Sequence, residues 1–259
     1  MNVLAFDIET VPDVEAGRRI YALEKIDDKH VAEIMQQKRR EKTGGDFLGH
    51  HLHRIVAISA VLRAGERFKL WSLGEVESDE KELIARFFAG VERYTPTLVT
   101  WNGGGFDLPV LHYRALRHGV VAPRYWETGA DDSQFRWNNY LNRFHYRHTD
   151  LMDVLAGYQP RASAPLDEVA QLAGLPGKLG MHGSKVWEHY LAGDVRGIRD
   201  YCETDALNTF LLYLRFEHMR GQLSDTIYAA ECALVREALA ADAREHLQAF
   251  LAAWTPESS

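Results

Sequence analysis

The chain has 259 residues, of which 46% are hydrophobic, and its formal net charge is −7 at pH 7. This length suits one α/β domain with additions, and the apolar fraction is enough to build a sizeable core. The negative charge argues against a protein that coats DNA regardless of sequence, because phosphate contacts require lysine and arginine, but it does not exclude an enzyme with a local basic groove. No stretch approaches the roughly 18 consecutive apolar residues of a membrane span, and no charged leader precedes the first predicted strand. We therefore expect a cytoplasmic protein with no membrane partner.

Hydrophobic periodicity predicts five strands, with helices between and after them. The predicted strands are Val3–Glu9, Arg54–Leu62, Phe68–Leu73, Thr97–Trp101 and Tyr146–Asp150. The predicted helices are Asp28–Lys42, Asp79–Tyr94, Asp107–Leu116, Leu166–Leu172, Lys185–Tyr190, Val195–Phe216 and Leu223–Trp254. The second and third strands are close enough to form a hairpin. This order predicts an α/β protein, a mixed sheet flanked by helices within one domain of residues 1–259.

Four acidic residues and a tyrosine occupy three separated clusters. Asp7 and Glu9 lie in Phe-Asp-Ile-Glu-Thr, Asp107 follows Trp-Asn-Gly-Gly-Gly-Phe, and Tyr201 and Asp205 lie in Tyr-Cys-Glu-Thr-Asp. Alternate residues of a strand share one face, as do helix residues four apart, so each pair points in one direction. Clustered carboxylates repel one another unless cations or protons neutralise them. The four carboxylates therefore predict a site for two hard divalent ions, Mg²⁺ or Mn²⁺.

The three clusters, in this order and spacing, resemble the motifs of 3'-5' exonucleases that carry four acidic residues and a tyrosine, within the ribonuclease H-like superfamily. More closely, the chain resembles bacterial stand-alone proteins related to the proofreading exonuclease domain of family-B DNA polymerases. The segments that carry this similarity are Phe6–Thr10, Trp101–Pro109, His148–Asp153 and Tyr201–Asp205. The resemblance runs from about Val3 to about Leu214. It implies a ribonuclease H-like five-stranded sheet with insertions at about 11–53 and 119–144 and a helical C-terminal extension at about 222–254.

The resemblance also implies an activity: a metal-dependent 3'-5' exonuclease that releases nucleoside 5'-monophosphates from single-stranded or frayed DNA ends. Tyr201 would orient the attacking water, since an ordinary tyrosine pKa near 10 makes it a poor general base at neutral pH. Thr10, Asn102 and Phe106 would contact the substrate, although Asn102 also suits an ordinary turn. Two alternatives remain open. One is an exoribonuclease that trims RNA ends, and the other is a nucleic-acid-binding module without catalysis, which the complete acidic set disfavours.

The second insertion combines basic and aromatic residues. Between Tyr113 and Arg147, six arginines accompany three acidic residues, and aromatic side chains are interleaved among them. Arginine pairs with phosphate and aromatic rings stack on unpaired bases, so Arg136 and Trp137 are candidates for contact with a single strand. The alternative interpretation is an aromatic mini-core beneath a surface insertion. The sequence favours neither.

Several other features have ordinary interpretations that we favour. The run Gly103–Gly105 lacks the Lys-Ser/Thr of an ATP-binding loop, so a turn beside the substrate is the better interpretation. A structural hydrogen bond is favoured for Asp150 and Asp153 over support of the site, and a solvated side chain is favoured for Lys185 over a functional one. The segment His50–His53 has no cysteine or carboxylate at ligand spacing, so it predicts a hydrated loop rather than a metal site.

Overall fold

The computed structural model describes residues 1–254, and the remainder of the expected 1–259 domain lies outside the described residues. Five strands form one mixed sheet in the order β3-β2-β1-β4-β5. Their bounds are β1 Asn2–Pro12, β2 His53–Ala64, β3 Arg67–Ser72, β4 Thr97–Thr100 and β5 His148–Asp150. Strands β1, β4 and β5 are parallel, whereas β2 is antiparallel to both of its neighbours. The predicted α/β class and the ribonuclease H-like sheet are confirmed.

Helices lie on both faces of this sheet. Their bounds are α1 Val14–Tyr21, α2 Asp28–Thr43, α3 Glu80–Tyr94, α4 Asp107–His118, α5 Pro123–Trp126, α6 Leu151–Leu155, α7 Leu166–Leu172, α8 Val186–Leu191, α9 Val195–Met219, α10 Asp225–Ala240 and α11 Glu245–Ala253. The single helix predicted for Leu223–Trp254 is wrong, because it breaks into α10 and α11. At the break, Asp242 accepts a hydrogen bond from the backbone N–H of Arg244 at 3.0 Å and also pairs with its guanidinium. None of the helices within residues 1–254 is long and apolar enough to cross a membrane.

Strand β1 divides its side chains between two cores. Leu4, Phe6 and Ile8 belong to the core that includes residues of α3 and α4, and Val3 and Ala5 belong to the core that includes residues of α9. Strand alternation therefore sends Asp7 and Glu9 toward the α9 face. The position of the acidic pair follows from this two-sided burial.

The first insertion has a small core of its own and is tied to helix α4. Helices α1 and α2 pack through Ala16, Val31 and Met35, and a Cβ at Gly17 would meet the side chains of Met35 and Val31. The buried guanidinium of Arg114 in α4 pairs with Asp13 of the insertion and with Glu80 of α3. This buried ion triad fixes the insertion next to the end of β1. The other predicted insertion carries α5 and is described with the site.

Candidate metal centre

Three carboxylates from two elements converge at the end of β1. Asp7 and Glu9 of β1 and Asp205 of α9 each place one oxygen within 4.8 Å of the other two. The register between β1 and β2 shifts immediately after this pair, with Glu9 opposite Ala57 and Thr10 opposite Ile55. Such bulges redirect side chains and often occur next to functional sites. Glu9 and Asp205 are buried, and Asp7 is half-buried.

The fourth predicted ligand, Asp107, lies against the same strand but outside that closest set. It is the first residue of α4, and its Oδ1 accepts a hydrogen bond from the backbone N–H of Ile8 at 3.2 Å. The carboxylate is buried and is close enough to raise the pKa of Asp7. The structure thus brings all four acidic residues together, with Asp107 held by the backbone between Asp7 and Glu9.

The charges in this cluster oppose one another. Burial raises the pKa of Asp7 well above its usual range, and the neighbouring carboxylates raise it further. Burial likewise raises the pKa of Glu9, and it raises the pKa of Asp107 to about 7. Without cations, the cluster would therefore retain protons near neutral pH.

The donor set fits a hard divalent cation. Its atoms are carboxylate oxygens, which Mg²⁺ and Mn²⁺ prefer. Oδ1 of Asp205 is buried and has no hydrogen-bond partner among residues 1–254. A buried acceptor without a partner is costly, and a bound cation would satisfy it.

Tyr201 lies beside the carboxylates on the same helix face as Asp205. Both residues are buried on α9. Burial, followed by the charges of Asp205 and Glu9, raises the pKa of Tyr201 far above its ordinary value. The phenol therefore stays protonated at neutral pH, which favours a role in hydrogen bonding over proton removal.

A lysine that the sequence interpretation missed also reaches the cluster. Nζ of Lys178 lies 3.8 Å from Oδ2 of Asp205 and 5.3 Å from the ring centroid of Tyr201. By contrast, Lys185 is exposed and pairs with Glu188 at 2.9 Å, in agreement with the solvated interpretation. Lys178 follows the buried Gly177, whose φ of 67° suits glycine, in the loop after α7. In the sequence, the pair Gly177-Lys178 ahead of the Tyr201–Asp205 cluster was the signal available for this lysine.

A cavity of about 490 Å³ opens beside the acidic residues. Asp7, Asp205 and Lys178 are the charged residues of its lining. The remaining lining residues are Trp101, Asn102, Met152, Ser163, Ala164, Pro165 and Leu166. The lining therefore combines charged groups with several apolar side chains, a combination that suits a ligand with phosphate and ring portions.

The loop that carries Asn102 is fixed by Asp150. Oδ1 of Asp150 accepts from the backbone N–H of Asn102 at 2.9 Å, and Oδ2 accepts from Gly104 at 2.8 Å. Asn102 itself has a φ of 64°, in the left-handed region that asparagine tolerates better than most residues. Asp150 thus makes structural hydrogen bonds that also support the site, whereas Asp153 pairs with Arg143 at 2.9 Å.

The histidine segment borders the other end of the cluster. His53 is buried, so the expectation of a wholly hydrated loop is wrong for this residue. Its Nδ1 shares a hydrogen bond of 2.9 Å with the Thr10 hydroxyl, and its ring meets that of Phe106 edge-on at 5.1 Å between centroids. Burial is the main reason that the pKa of His53 is lowered to about 4. The described residues place no histidine in a metal-binding group, since the acidic trio alone meets that spacing.

The second insertion contains the aromatic mini-core that one of the two interpretations predicts. Tyr125, Phe135 and Tyr140 are buried as an aromatic mini-core, with the rings of Tyr125 and Tyr140 stacked at 5.4 Å. Arg136 and Trp137 are exposed on the second insertion, and neither lines the cavity. The part of this insertion that carries them is called the exposed lobe below.

The basic surface is smaller than the sequence predicts, because several arginines are already engaged. Arg114 is buried in its ion triad, and Arg124 pairs with Asp132 at 2.8 Å. Arg147 lies 3.9 Å from the ring centroid of Phe135.

Fold and site define a nuclease of the ribonuclease H-like type, and sequence comparison gives the family. Residues 45–254 match the family described as predicted 3'-5' exonucleases related to the exonuclease domain of PolB. The chain belongs to this family, and exonuclease domains of this type are metal-dependent. The match begins at residue 45, so Asp7 and Glu9 lie before it, and their assignment depends on the geometry described above.

Individual relatives are DNA polymerases much longer than this chain. The chain is 28% identical over 152 residues to the catalytic subunit of DNA polymerase epsilon from Saccharomyces cerevisiae, an alignment that covers 55% of this chain and 6% of the relative. It is 24% identical over 152 residues to a DNA polymerase of Archaeoglobus fulgidus, covering 58% and 19% respectively. A segment of 43 residues is 46% identical to DNA polymerase 1 of Sulfolobus acidocaldarius, covering 17% and 5%. The similarity thus spans a small part of each polymerase.

Proposed function

We propose that this protein is a 3'-5' exodeoxyribonuclease that removes nucleoside 5'-monophosphates from unpaired 3' ends and uses two Mg²⁺ or Mn²⁺ ions. The observation that carries this proposal is the convergence of Asp7, Glu9 and Asp205 within 4.8 Å at the wall of a cavity, with Asp107 hydrogen-bonded alongside. Residues 1–259 would together form one exonuclease domain.

Asp7, Glu9, Asp107 and Asp205 would hold the cations, directly or through water. When bound, the two ions would activate a water molecule and stabilise the negative charge that develops at phosphorus. Bound cations would also remove the mutual repulsion that, after burial, raises the pKa values of Asp7 and Glu9.

Tyr201 and Lys178 would complete the reacting region. The protonated Tyr201 hydroxyl would orient the attacking water through a hydrogen bond, since its raised pKa prevents it from acting as a base at neutral pH. The Lys178 ammonium group lines the cavity and would offset charge on the cleaved phosphate. Both groups act by positioning and electrostatics.

The remainder of the cavity would receive the terminal nucleotide. Trp101 and Leu166 would contact its sugar and base, and Asn102 would hydrogen-bond near the cleaved bond. Thr10, which follows Glu9, and Phe106, which precedes Asp107, would also contact the terminal nucleotide. These contacts would place the 3' end beside the carboxylates.

The exposed lobe would contact the strand further upstream. Trp137 is 82% exposed, next to the exposed Arg136, and an aromatic ring beside an arginine suits unpaired bases and phosphate. DNA is the proposed substrate because the matched relatives are DNA polymerases. Faster trimming of RNA ends in the test below would change the proposed substrate from DNA to RNA.

The test compares DNA and RNA of identical sequence, labelled at the 5' end, single-stranded and duplex, with Mg²⁺, Mn²⁺ or excess chelator. The expected result is progressive shortening from the 3' end of single-stranded DNA with either metal, and chromatography should identify 5'-monophosphates as products. Release of 3'-monophosphates, or protection that depends on a blocked 5' end, would contradict the assignment. Faster shortening of RNA would replace DNA as the substrate.

A further inference from the structure

The buried thiol of Cys202 reaches the proposed metal ligand Asp7 from the neighbouring helix. Sγ of Cys202 donates to the backbone carbonyl oxygen of Asp7 at 3.3 Å and to its carboxylate Oδ2 at 3.5 Å. Cys202 lies on α9 between Tyr201 and Glu203, and it is fully buried. The contact therefore joins β1 and α9, the two elements whose carboxylates form the acidic trio.

The thiol gives Asp7 a hydrogen-bond donor among groups that repel it. Glu9 and Asp205 each place a carboxylate oxygen within 4.8 Å of an oxygen of Asp7. Ionised carboxylates accept hydrogen bonds but cannot donate them, so these neighbours repel the Asp7 carboxylate and cannot hold it. A hydrogen bond from sulfur to Oδ2 can fix the direction of the carboxylate against this repulsion.

The next residue of the helix anchors this part of α9. Glu203 is buried, and its carboxylate accepts a hydrogen bond from the Ser72 hydroxyl at 2.8 Å and from Nη1 of Arg244 at 2.6 Å. The same carboxylate lies 2.9 Å from Nε2 of His246. Ser72 ends β3, and Arg244 and His246 belong to the C-terminal extension, so α9 is tied to both. Movement of the Cys202 thiol away from β1 would therefore disturb a buried ion pair.

We propose that Cys202 is a positioning residue that holds the Asp7 carboxylate in the direction required for metal binding. This role rests on the proposed exonuclease function and its metal centre. Side chains that hydrogen-bond to a metal ligand orient that ligand, and their loss typically costs about 10- to 100-fold in metal affinity or activity. Cys202 would bind neither the ions nor the substrate, and would act through Asp7.

Space filling is the alternative role for a buried cysteine, which packs as a small apolar side chain. Cys202 belongs to a small core with Val11, Ala57 and Ile198. A side chain that only fills space stabilises the fold whether or not metal is bound. A positioning residue also changes the affinity of the folded protein for the metal ion.

The second of the two cysteines provides a matched control. Cys232 on α10 is half-buried and packs against the core that includes residues of α9. It neither lines the cavity nor belongs to the acidic trio. Cys232→Ala therefore removes the same thiol group without touching the candidate metal centre.

The experiment titrates Mn²⁺ into wild type, Cys202→Ala, Cys202→Val, Cys202→Ser and Cys232→Ala in the absence of DNA. Single-turnover cleavage of a 5'-labelled single strand is followed over a range of Mn²⁺ concentrations in the same preparations. Thermal unfolding in excess chelator records the stability of each variant. Cys202→Val fills the space without a donor if Cys202→Ala proves unstable, and Cys202→Ser keeps a donor.

We expect Cys202→Ala and Cys202→Val to bind Mn²⁺ about 10-fold more weakly than wild type, the lower end of the range because a thiol is a weak donor. Cys202→Ser should bind Mn²⁺ more tightly than Cys202→Ala, since its hydroxyl can donate to the same oxygens. Cleavage by Cys202→Ala should be slow at low Mn²⁺ and should recover most of the wild-type rate when Mn²⁺ is saturating. Cys232→Ala should match wild type in Mn²⁺ affinity and in rate.

Wild-type Mn²⁺ affinity in both Cys202→Ala and Cys202→Val would overturn the positioning role, whatever the change in unfolding temperature, and would leave Cys202 as a space-filling residue. An equal loss of affinity in Cys202→Ser and Cys202→Ala would also overturn it, because the donor would then make no difference. Failure of the proposed function is a separate result: wild type would bind Mn²⁺ without shortening DNA from its 3' end, and the Mn²⁺ affinities would still decide the role of Cys202. A wild type that binds no Mn²⁺ would overturn both proposals.

Discussion

Nζ of Lys178 lies 3.8 Å from Oδ2 of Asp205, which gives the acidic cluster a cation from the protein itself. The charge of Lys178 lowers the pKa of Glu9 and of Asp205, in opposition to the burial that raises both. One positive side chain thus compensates part of the repulsion among the carboxylates and faces the cavity in which a phosphate would bind.

Removal of this cation should slow cleavage. Lys178→Met is expected to reduce the single-turnover rate about 100-fold, comparable with loss of one electrostatic contact to a transition state. The control is Lys185→Met, because Lys185 is exposed and paired with Glu188. A wild-type rate for Lys178→Met, or an equal loss in both variants, would contradict a role for Lys178 at the phosphate.

The tyrosine should matter less than the metal ligands. Tyr201→Phe removes one hydroxyl that would orient water but leaves the carboxylates in place, so we expect a loss of about 10- to 1,000-fold in single-turnover rate. The pKa of Tyr201 is raised far above neutrality, so its hydroxyl does not titrate between pH 6 and 9 in wild type. The pH–rate profile of Tyr201→Phe in this range should therefore have the same shape as that of wild type. A fully active Tyr201→Phe would remove the tyrosine from the proposed mechanism while leaving the metal site untouched.

The buried His148 predicts a pH dependence of stability. Its Nε2 is 2.8 Å from the Thr100 hydroxyl, and burial is the main reason that its pKa falls from 6.5 to about 4. Below pH 6.5 the unfolded chain takes up a proton at this position that the folded protein does not, so stability falls as the pH drops toward 4. The loss should reach about 2–3 kcal/mol between pH 7 and pH 4.5.

Urea unfolding in excess chelator measures this effect in wild type and in His148→Gln, whose amide can still reach Thr100. The two proteins share every titrating carboxylate, so the difference between their pH profiles isolates the histidine. The variant should lose less stability on acidification. Parallel profiles would show that His148 is protonated in the folded state.

The exposed lobe of the second insertion should contribute binding without affecting the metal centre. The double variant Arg136→Ala, Trp137→Ala is expected to bind single-stranded DNA more weakly and with a shallower salt dependence, because it loses a stacking side chain and a phosphate contact. Leu172→Ala is a suitable control, since Leu172 is 85% exposed on α7. If the double variant and wild type have equal affinity and equal salt dependence, the exposed lobe has a structural role alone.

Local geometry explains which parts of the site the sequence predicts. The spacing of Asp7 and Glu9 on a strand and of Tyr201 and Asp205 on a helix fixes the direction of each pair before any tertiary contact is known. Buried apolar residues likewise locate β1 to β4, whereas β5 buries the polar residues His148 and Asp150. Periodicity did not predict the break between α10 and α11, because this break depends on the turn at Asp242 and Arg244.

Contacts made by loops and between distant segments were not predictable in this way. Lys178 lies in an irregular loop, so its approach to Asp205 has no periodic signal. Arg114 adds positive charge to the basic stretch between Tyr113 and Arg147 in sequence, yet it is buried against Asp13 and Glu80. Phe47 reaches Phe106 because the first insertion folds over the end of β1. Each depends on tertiary packing rather than on local pattern.

The most direct test of the metal centre is single-turnover cleavage of one 5'-labelled single-stranded DNA by wild type, Asp7→Asn and Asp205→Asn. Each protein is measured with Mg²⁺, with Mn²⁺ and with excess chelator, and Mn²⁺ binding is titrated in the same preparations. We expect wild type to shorten the strand from its 3' end with either metal and to be inactive in chelator. Both variants should be nearly inactive and should bind Mn²⁺ weakly, because each loses a carboxylate of the closest set. Full cleavage by wild type in chelator, or by Asp205→Asn with Mg²⁺, would show that these carboxylates are not the centre of the reaction.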